Sequence, residues 1–273
     1  MVIATFRLCL ASLILLPFVW RRVWPEIRKL STAKLLLCLL AGVFLALHFG
    51  LWVSSLSYTS VVTSVVLVTA DPIFVAIASF LLLHESVKRN TVLGTAICFI
   101  GVGLIAYSNL EVGGNSLLGA ILALLASMAV AGYLIIGRKM RSGISLLPYI
   151  TLVYSTAAVL TLVLTMSLGY GLTGYSGNTY LMMLLLAVVP QLIGHSSVNW
   201  VLRHVSATLV TIAFLGEPIA ATLWALLILR EAPSAMEIVG GSLVLAGIFL
   251  AFYRRSRAIR ERSVNLAQKA EQT

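Results

Sequence analysis

Ser60-VVTSVVLVTA-Asp71-Pro72-IFVAIASFLLL-His84-Glu85 and Ser206-ATLVTIAFLG-Glu217-Pro218-IAATLWALLIL-Arg230-Glu231 are two versions of one stretch. In each, an acid followed by proline interrupts an apolar run. An offset of 146 residues lays Ser60 on Ser206, Pro72 on Pro218 and Glu85 on Glu231. The register continues without a gap through Gly94 and Gly240, Gly101 and Gly247, to Tyr107 and Tyr253. That period is far beyond the ~20–50 residues of a solenoid unit. It points to a duplicated membrane half.

Composition sets the solvent. The chain is 60% hydrophobic and 10% charged, with a mean hydropathy of +1.04. A soluble domain carries about 25% charged residues. The apolar stretches suit a bilayer core of ~30 Å, where the backbone must satisfy itself in helices or a closed barrel. Continuous Leu, Ala and Val runs favour helices over the alternation of barrel strands. The net charge of +10 does not argue for nucleic acid, because the basic residues cluster between apolar runs, where membrane topology places them. Cys9, Cys38 and Cys98 lie within apolar runs and read as small core residues, without a disulfide framework.

The expected fold is an all-α polytopic membrane protein with nine transmembrane helices. The spans are placed at about 2–20, 34–56, 60–83, 91–107, 116–137, 146–168, 179–202, 206–229 and 236–253. The first is no signal peptide, since Arg21 and Arg22 follow its apolar run instead of preceding it. Alternation puts Arg28, Lys29, Lys34, Lys88, Arg89, Arg138, Lys139, Arg141, Arg203 and the basic tail from Arg254 onward on one side. The other side holds Arg230 with Glu111, Glu231 and Glu237. The positive-inside rule then makes the C-terminus cytoplasmic and Met1 external. Trp20, Trp24, Tyr107, Tyr149, Tyr180 and Tyr253 sit near span ends, as interfacial belts require.

The third span ends on the basic side and its repeat mate, the eighth, on the opposite side. The halves are therefore inverted, an arrangement typical of secondary transporters. The division expected is residues 1–110, 111–253 and a basic tail at 254–273. The fifth span has no mate, so the repeat is an incomplete 5+5. Symmetry expects one further helix before the first, with a chain that begins late; the alternative is a nine-helix protein. Gly169 to Thr179 reads as an external loop rich in turn residues.

Ionisable groups at membrane depth are costly unless paired or hydrated, and so mark function. Asp71 and Glu217 fall near the middle of their spans, and His48 and His195 occupy matching places in the second and seventh. Pro72 and Pro218 cannot donate to the helix and crowd the carbonyls of Val68 and Phe214, which predicts kinks. Gln191, His195 and Asn199, four residues apart, form one polar stripe. Trp52 and Tyr133 complete the candidate substrate-pathway residues, with hydrogen bonding or simple packing as the structural alternative. Arg7 either neutralises an acid or snorkels outward, and a structural role is favoured. Gly94, Gly101, Gly103, Gly240, Gly241 and Gly247 allow the fourth and ninth spans to pack closely; their other use is a homodimer contact.

Catalytic and cofactor signatures are missing: there is no HExxH, GxSxG, P-loop or paired-cysteine metal site. The chain resembles the EamA type of the drug/metabolite transporter superfamily. The residues that carry the resemblance are Tyr58-Thr-Ser60 leading to Pro72 and Glu85, and Ser206-Ala207 leading to Glu217-Pro218 and Glu231. Arg7 looks like an arginine of that family's second helix. The resemblance implies ten helices in two inverted repeats, a central cavity and alternating access for amino acids, other metabolites or drugs. The chain departs from it in lacking the first helix. The expected protein is a multi-pass inner-membrane transporter that exports a small molecule, with proton coupling through the acids and histidines. An exchanger or facilitator is the alternative within transport. An intramembrane enzyme and a non-transporting assembly partner are the alternatives outside it.

Overall fold

The computed structural model describes residues 1–18, 23–83, 89–112, 115–205, 207, 210, 211, 214, 217–230 and 232–250. His84, Glu85, Ser206, Glu231, Trp20, Tyr253 and the basic tail lie outside the described residues. Among the described residues every regular element is helical. Five helices are long and apolar enough to cross a membrane, over Thr32–Ser55, Val61–Ala78, Ser116–Arg141, Leu146–Ser167 and Gly177–Val201. Shorter apolar helices cover Val2–Phe18, Ala96–Ile105, Glu217–Leu229 and Ala235–Leu250. Each of the nine spans read from the sequence overlaps one of these.

The elements are α1 (Val2–Phe18), α2 (Trp24–Ile27), α3 (Thr32–Ser55), α4 (Val61–Val68), α5 (Asp71–Leu83), α6 (Arg89–Val112), α7 (Ser116–Arg141) and α8 (Leu146–Ser167). They continue with α9 (Gly177–Leu186), α10 (Ser196–Val201), α11 (Glu217–Trp224) and α12 (Ala235–Leu250). Local chemistry sets their ends. Ser31, Ser60 and Ser176 are extended residues whose hydroxyls accept from Lys34 N, Thr63 N and Thr179 N, satisfying donors that the first helical turn leaves open. At the end of α8, Gly169 adopts φ 74°. Its N–H donates to Met166 O and Tyr170 N–H to Thr165 O, which closes the helix as a Schellman motif.

Three spans are not continuous α-helix. The third breaks between α4 and α5: Ala70 N–H donates to Leu67 O at 3.3 Å, and Asp71-Pro72 open the next helix. Pro72 therefore sits in a first turn, where its missing N–H costs nothing. The seventh span runs from α9 into α10 through a π-helical stretch, Ala187–His195, that contains Pro190. Such stretches shift the facing of everything beyond them. In the eighth, Glu217-Pro218 again open a helix, α11, which widens into a π-turn at Ala225–Leu229 and ends on Arg230 with φ 59°. The two acid–proline pairs thus start half-helices at matching points.

Packing interleaves the halves. α3 packs against α7 and α8, α1 against α8 and the π stretch, and α7 also against α4, α5 and α6. Residues expected on one side of the membrane meet each other. Ser145 Oγ and N–H donate to Glu26, and Arg138 Nη1 donates to Leu202 O and Arg203 O at 2.7 and 3.1 Å. At the opposite end Thr5 Oγ1 meets Thr165 Oγ1 at 2.7 Å. There Ser60 Oγ and Thr63 Oγ1 donate to Glu237 Oε1, each at 2.5 Å. The contacts reproduce the alternation.

Gly101 faces Gly240, and Gly94 faces Gly247, where α6 and α12 meet. A Cβ on Gly101 would lie 2.5 Å from Gly240 O, and one on Gly247 2.5 Å from Gly94 O. They serve packing within one chain. Exposed Val163, Met166, Leu227 and Ile228 cover the outside, 60%, 62%, 62% and 69% exposed, as a lipid solvent permits. One interfacial assignment is corrected. Tyr149 is fully buried, its ring enclosed between α8 and α7, because the helix end it occupies is covered by neighbours. Trp24 and Tyr107 are exposed as expected.

Candidate functional site

A cavity of about 290 Å³ opens where the interrupted spans meet. Arg7 of α1, His48 and Trp52 of α3, Asp71 at the head of α5, His195 at the end of the π stretch, and Glu217 at the head of α11 line it. The breaks explain why polar groups reach it. At the third span, Val68 and Thr69 end one half-helix and Asp71 begins the next, so both backbone and carboxylate border the space. In the seventh span, Pro190, Gly194 and Val198 line the same wall.

Asp71 is 2% exposed and its Oδ2 has no protein hydrogen-bond partner. Glu217, by contrast, keeps much of its surface exposed. Trp52 Nε1 and His195 Nδ1 are likewise buried without a partner, while His48 Nδ1 lies 3.0 Å from Ala126 O. The aromatic rings pack as one cluster: His48 stacks on Trp52 at 5.8 Å, and Phe49 meets His195 edge-on at 5.2 Å.

Arg7 is the group whose part the sequence reading understated. It was read as structural. Its guanidinium instead lines the same cavity as both acids. Nε donates to Gln191 Oε1 at 2.9 Å, and Cζ lies 4.1 Å over the Phe49 ring. One edge of the planar fork and one face are used, and the remaining N–H groups are left for the cavity. The signal available in sequence was a lone arginine one turn into an apolar span, which is the same kind of signal that singled out Asp71.

The expected stripe on the seventh span divides. His195 lines the cavity, whereas Gln191 and Asn199 are fully buried behind it. Asn199 Nδ2 donates to Tyr133 Oη at 2.5 Å and to His195 O at 2.7 Å. Tyr133 is fully buried in that second layer and does not line the cavity. Among the described residues no group of three or more His, Cys, Asp or Glu is placed to hold a metal ion.

The profile of the EamA-like transporter family matches residues 1–107 and 117–253. The chain belongs to the EamA-like transporter family. It is thus a membrane transporter and not an enzyme. The uncharacterized transporter YdfC of Bacillus subtilis is 26% identical over 254 residues, 92% of this chain and 81% of the relative. An uncharacterized transporter of Clostridium kluyveri is 22% identical, over 96% of this chain and 86% of its own. The Synechocystis transporter sll1164 is 25% identical, over 95% and 77%. A solved crystal structure superposes with a TM-score of 0.66 over 94% of this chain and 88% of the other, at 15% identity, and so shares the EamA-like fold.

Proposed function

We propose that this EamA-like chain is a secondary-active transporter of the cell inner membrane that exports a small metabolite bearing both an ammonium and an acidic group, an amino acid or a related compound. The observation that carries this reading is the juxtaposition of a fixed cation and a buried carboxylate in one cavity. Arg7 is held by Gln191 and Phe49 with N–H groups to spare, and Asp71 Oδ2 has no protein partner. In a low-dielectric site each charge is costly alone, and a zwitterion satisfies both at once. At about 290 Å³ the cavity stands at the lower edge of the ~300–1,000 Å³ usual for ligand pockets, which suits a metabolite better than a drug-sized molecule.

In this reading Arg7 takes the acidic end of the solute. Asp71 and Glu217 take its ammonium or, between solutes, a proton. The half-helices beginning at Asp71-Pro72 and Glu217-Pro218 supply the bending points for alternating access, as broken helices do in other transporters. The two repeats, residues 1–110 and 111–253, rock about the cavity, and the basic end faces the cytoplasm. Counterflow of radiolabelled amino acids in proteoliposomes tests the assignment. The expected result is saturable uptake that the Asp71→Asn, Glu217→Gln double variant abolishes. Unchanged uptake in the double variant contradicts the role of the acids. A requirement for counter-solute regardless of any imposed pH gradient makes the protein an exchanger.

A further inference from the structure

We propose that a second polar path, filled by water, leads from the cavity wall to the basic end of the bundle between α7, α8 and α10. The path begins at Gln191. Its Oε1 is taken by Arg7, and its Nε2, fully buried, has no protein partner. The Gln191 carbonyl lies 3.4 Å from Tyr154 Oη, which in turn is 3.2 Å from Ser196 Oγ. One turn on, Asn199 donates to Tyr133 Oη while its own Oδ1 has no partner. Tyr149 Oη, equally buried, has none either. Both of these atoms border Gly137: a Cβ there would lie 3.2 Å from Tyr149 Oη and 3.7 Å from Asn199 Oδ1. The chain ends at Arg141, whose Nε donates to Asn199 O at 2.9 Å and whose Nη1 donates to Ile144 O.

Buried amide and phenol groups are almost always hydrogen-bonded, to protein or to ordered water. A serine or threonine hydroxyl can turn onto a carbonyl of its own helix; Gln191 Nε2 and Tyr149 Oη make no such bond here, and Asn199 Oδ1, an acceptor, cannot make one even though its Nδ2 does. Three such groups without partners, from Gln191 behind the cavity to Asn199 and Tyr149 beside Gly137, point to a hydrated track. Gly137 stands at its narrowest point, where an added Cβ would meet Leu202 Cδ1 at 3.1 Å and Tyr149 Oη at 3.2 Å. Water on this line reaches the back of His195 and the Gln191 that holds Arg7, from the basic end and without crossing the space of the solute. The path depends on the cavity reading only for its destination.

Radiolytic footprinting tests it without any solute. X-ray pulses turn bound water into hydroxyl radicals that add to the nearest side chains, and mass spectrometry reads the sites. In the full chain in nanodiscs, Tyr149 is expected to be oxygenated in spite of its burial. In Gly137→Ala that labelling is expected to fall at least fivefold, with exposed Tyr170 labelled equally in both as the dose control. Should Gly137→Ala not fold, Asn199→Leu carries the same expectation. Tyr149 left unlabelled in the wild-type protein, or labelled equally in wild type and variant, overturns the path. Either result leaves the transport reading untouched, since that reading stands on counterflow.

Discussion

Cys98 and Val244 hold the same position in the two copies of the repeat, and they touch: Cys98 Sγ donates to Val244 O at 3.3 Å. The glycines around them obey the same exchange. Gly101 meets Gly240 and Gly94 meets Gly247, and the offset that turns Gly94 into Gly240 turns Gly101 into Gly247. A pseudo-two-fold axis therefore passes between α6 and α12 at Cys98. Only glycine lets two helix backbones come this close. Gly247→Ala would push a methyl to 2.5 Å from a backbone carbonyl, and is expected to cost about 1–3 kcal/mol. Gly103→Ala, with nothing within 4 Å, is expected to be neutral or to stabilise by about 0.5–1 kcal/mol. Thermal unfolding of the two variants in one detergent checks the pair.

Arg7 is expected to be irreplaceable by lysine. Its grip on Gln191 uses Nε, and its contact with Phe49 uses a flat face; an ammonium offers neither. Arg7→Lys should lose about tenfold or more in the apparent affinity for the solute and Arg7→Gln should lose binding altogether. Solute titration of counterflow would read both. Wild-type affinity in Arg7→Lys would show that charge alone suffices there.

Arg141 and Arg138 close the seventh span from outside. Arg141, 1% exposed, donates to Asn199 O and Ile144 O; Arg138 donates to Leu202 O and Arg203 O. The carbonyls of Asn199, Leu202 and Arg203 belong to the last turn of α10 and the residues just beyond it, where cationic donors are best placed, while Ile144 lies in the turn after α7. Arg141→Ala is expected to cost about 1.5–3 kcal/mol, against less than about 0.5 kcal/mol for the exposed Lys139→Ala. Denaturation midpoints of the two proteins give the comparison.

Glu237 joins two helix N-termini. It faces Ser234 in a capping box of α12, with Ser234 N–H donating to Oε2 at 2.8 Å and Glu237 N–H to Ser234 Oγ at 3.2 Å. Its Oε1 accepts from Ser60 and Thr63 at the start of α4. Glu237→Ala is expected to destabilise by about 1–3 kcal/mol through the donors it strands, and Glu237→Gln by less. A larger loss in Glu237→Gln than in Glu237→Ala would mean that the carboxylate is not what joins the two helices.

Much of this was legible before any coordinate. The cost of an ion in a bilayer marked Asp71, Glu217, His48 and His195, and the offset between repeats placed them at one depth. Depth, however, does not say which way a side chain faces. Tyr149 looked interfacial because it stands near a helix end; the neighbouring helices cover that end. Gln191 and Asn199 shared a four-residue spacing with His195, yet the π-helical stretch around Pro190 leaves only His195 on the cavity. Pro72 was read as a kink in a continuous helix. The break before Asp71 makes it the first turn of a new one, where proline is at ease. For Arg7 the sequence leaves neutralising an acid or snorkelling outward open, with a structural role favoured; its contacts with Phe49 and Gln191 hold the guanidinium on the cavity that the two acids line.

The most direct test of the account is solute-dependent thermal stabilisation of the purified protein, measured for wild type, Arg7→Gln and Asp71→Asn against a panel of amino acids, organic cations and organic anions. A solute that binds only the folded state raises its stability by mass action, whatever the direction or energy source of transport. The account predicts that zwitterions stabilise the wild-type protein and that neither variant responds to them. Stabilisation of equal size in all three proteins would contradict it, since the solute would then be binding somewhere other than between Arg7 and Asp71.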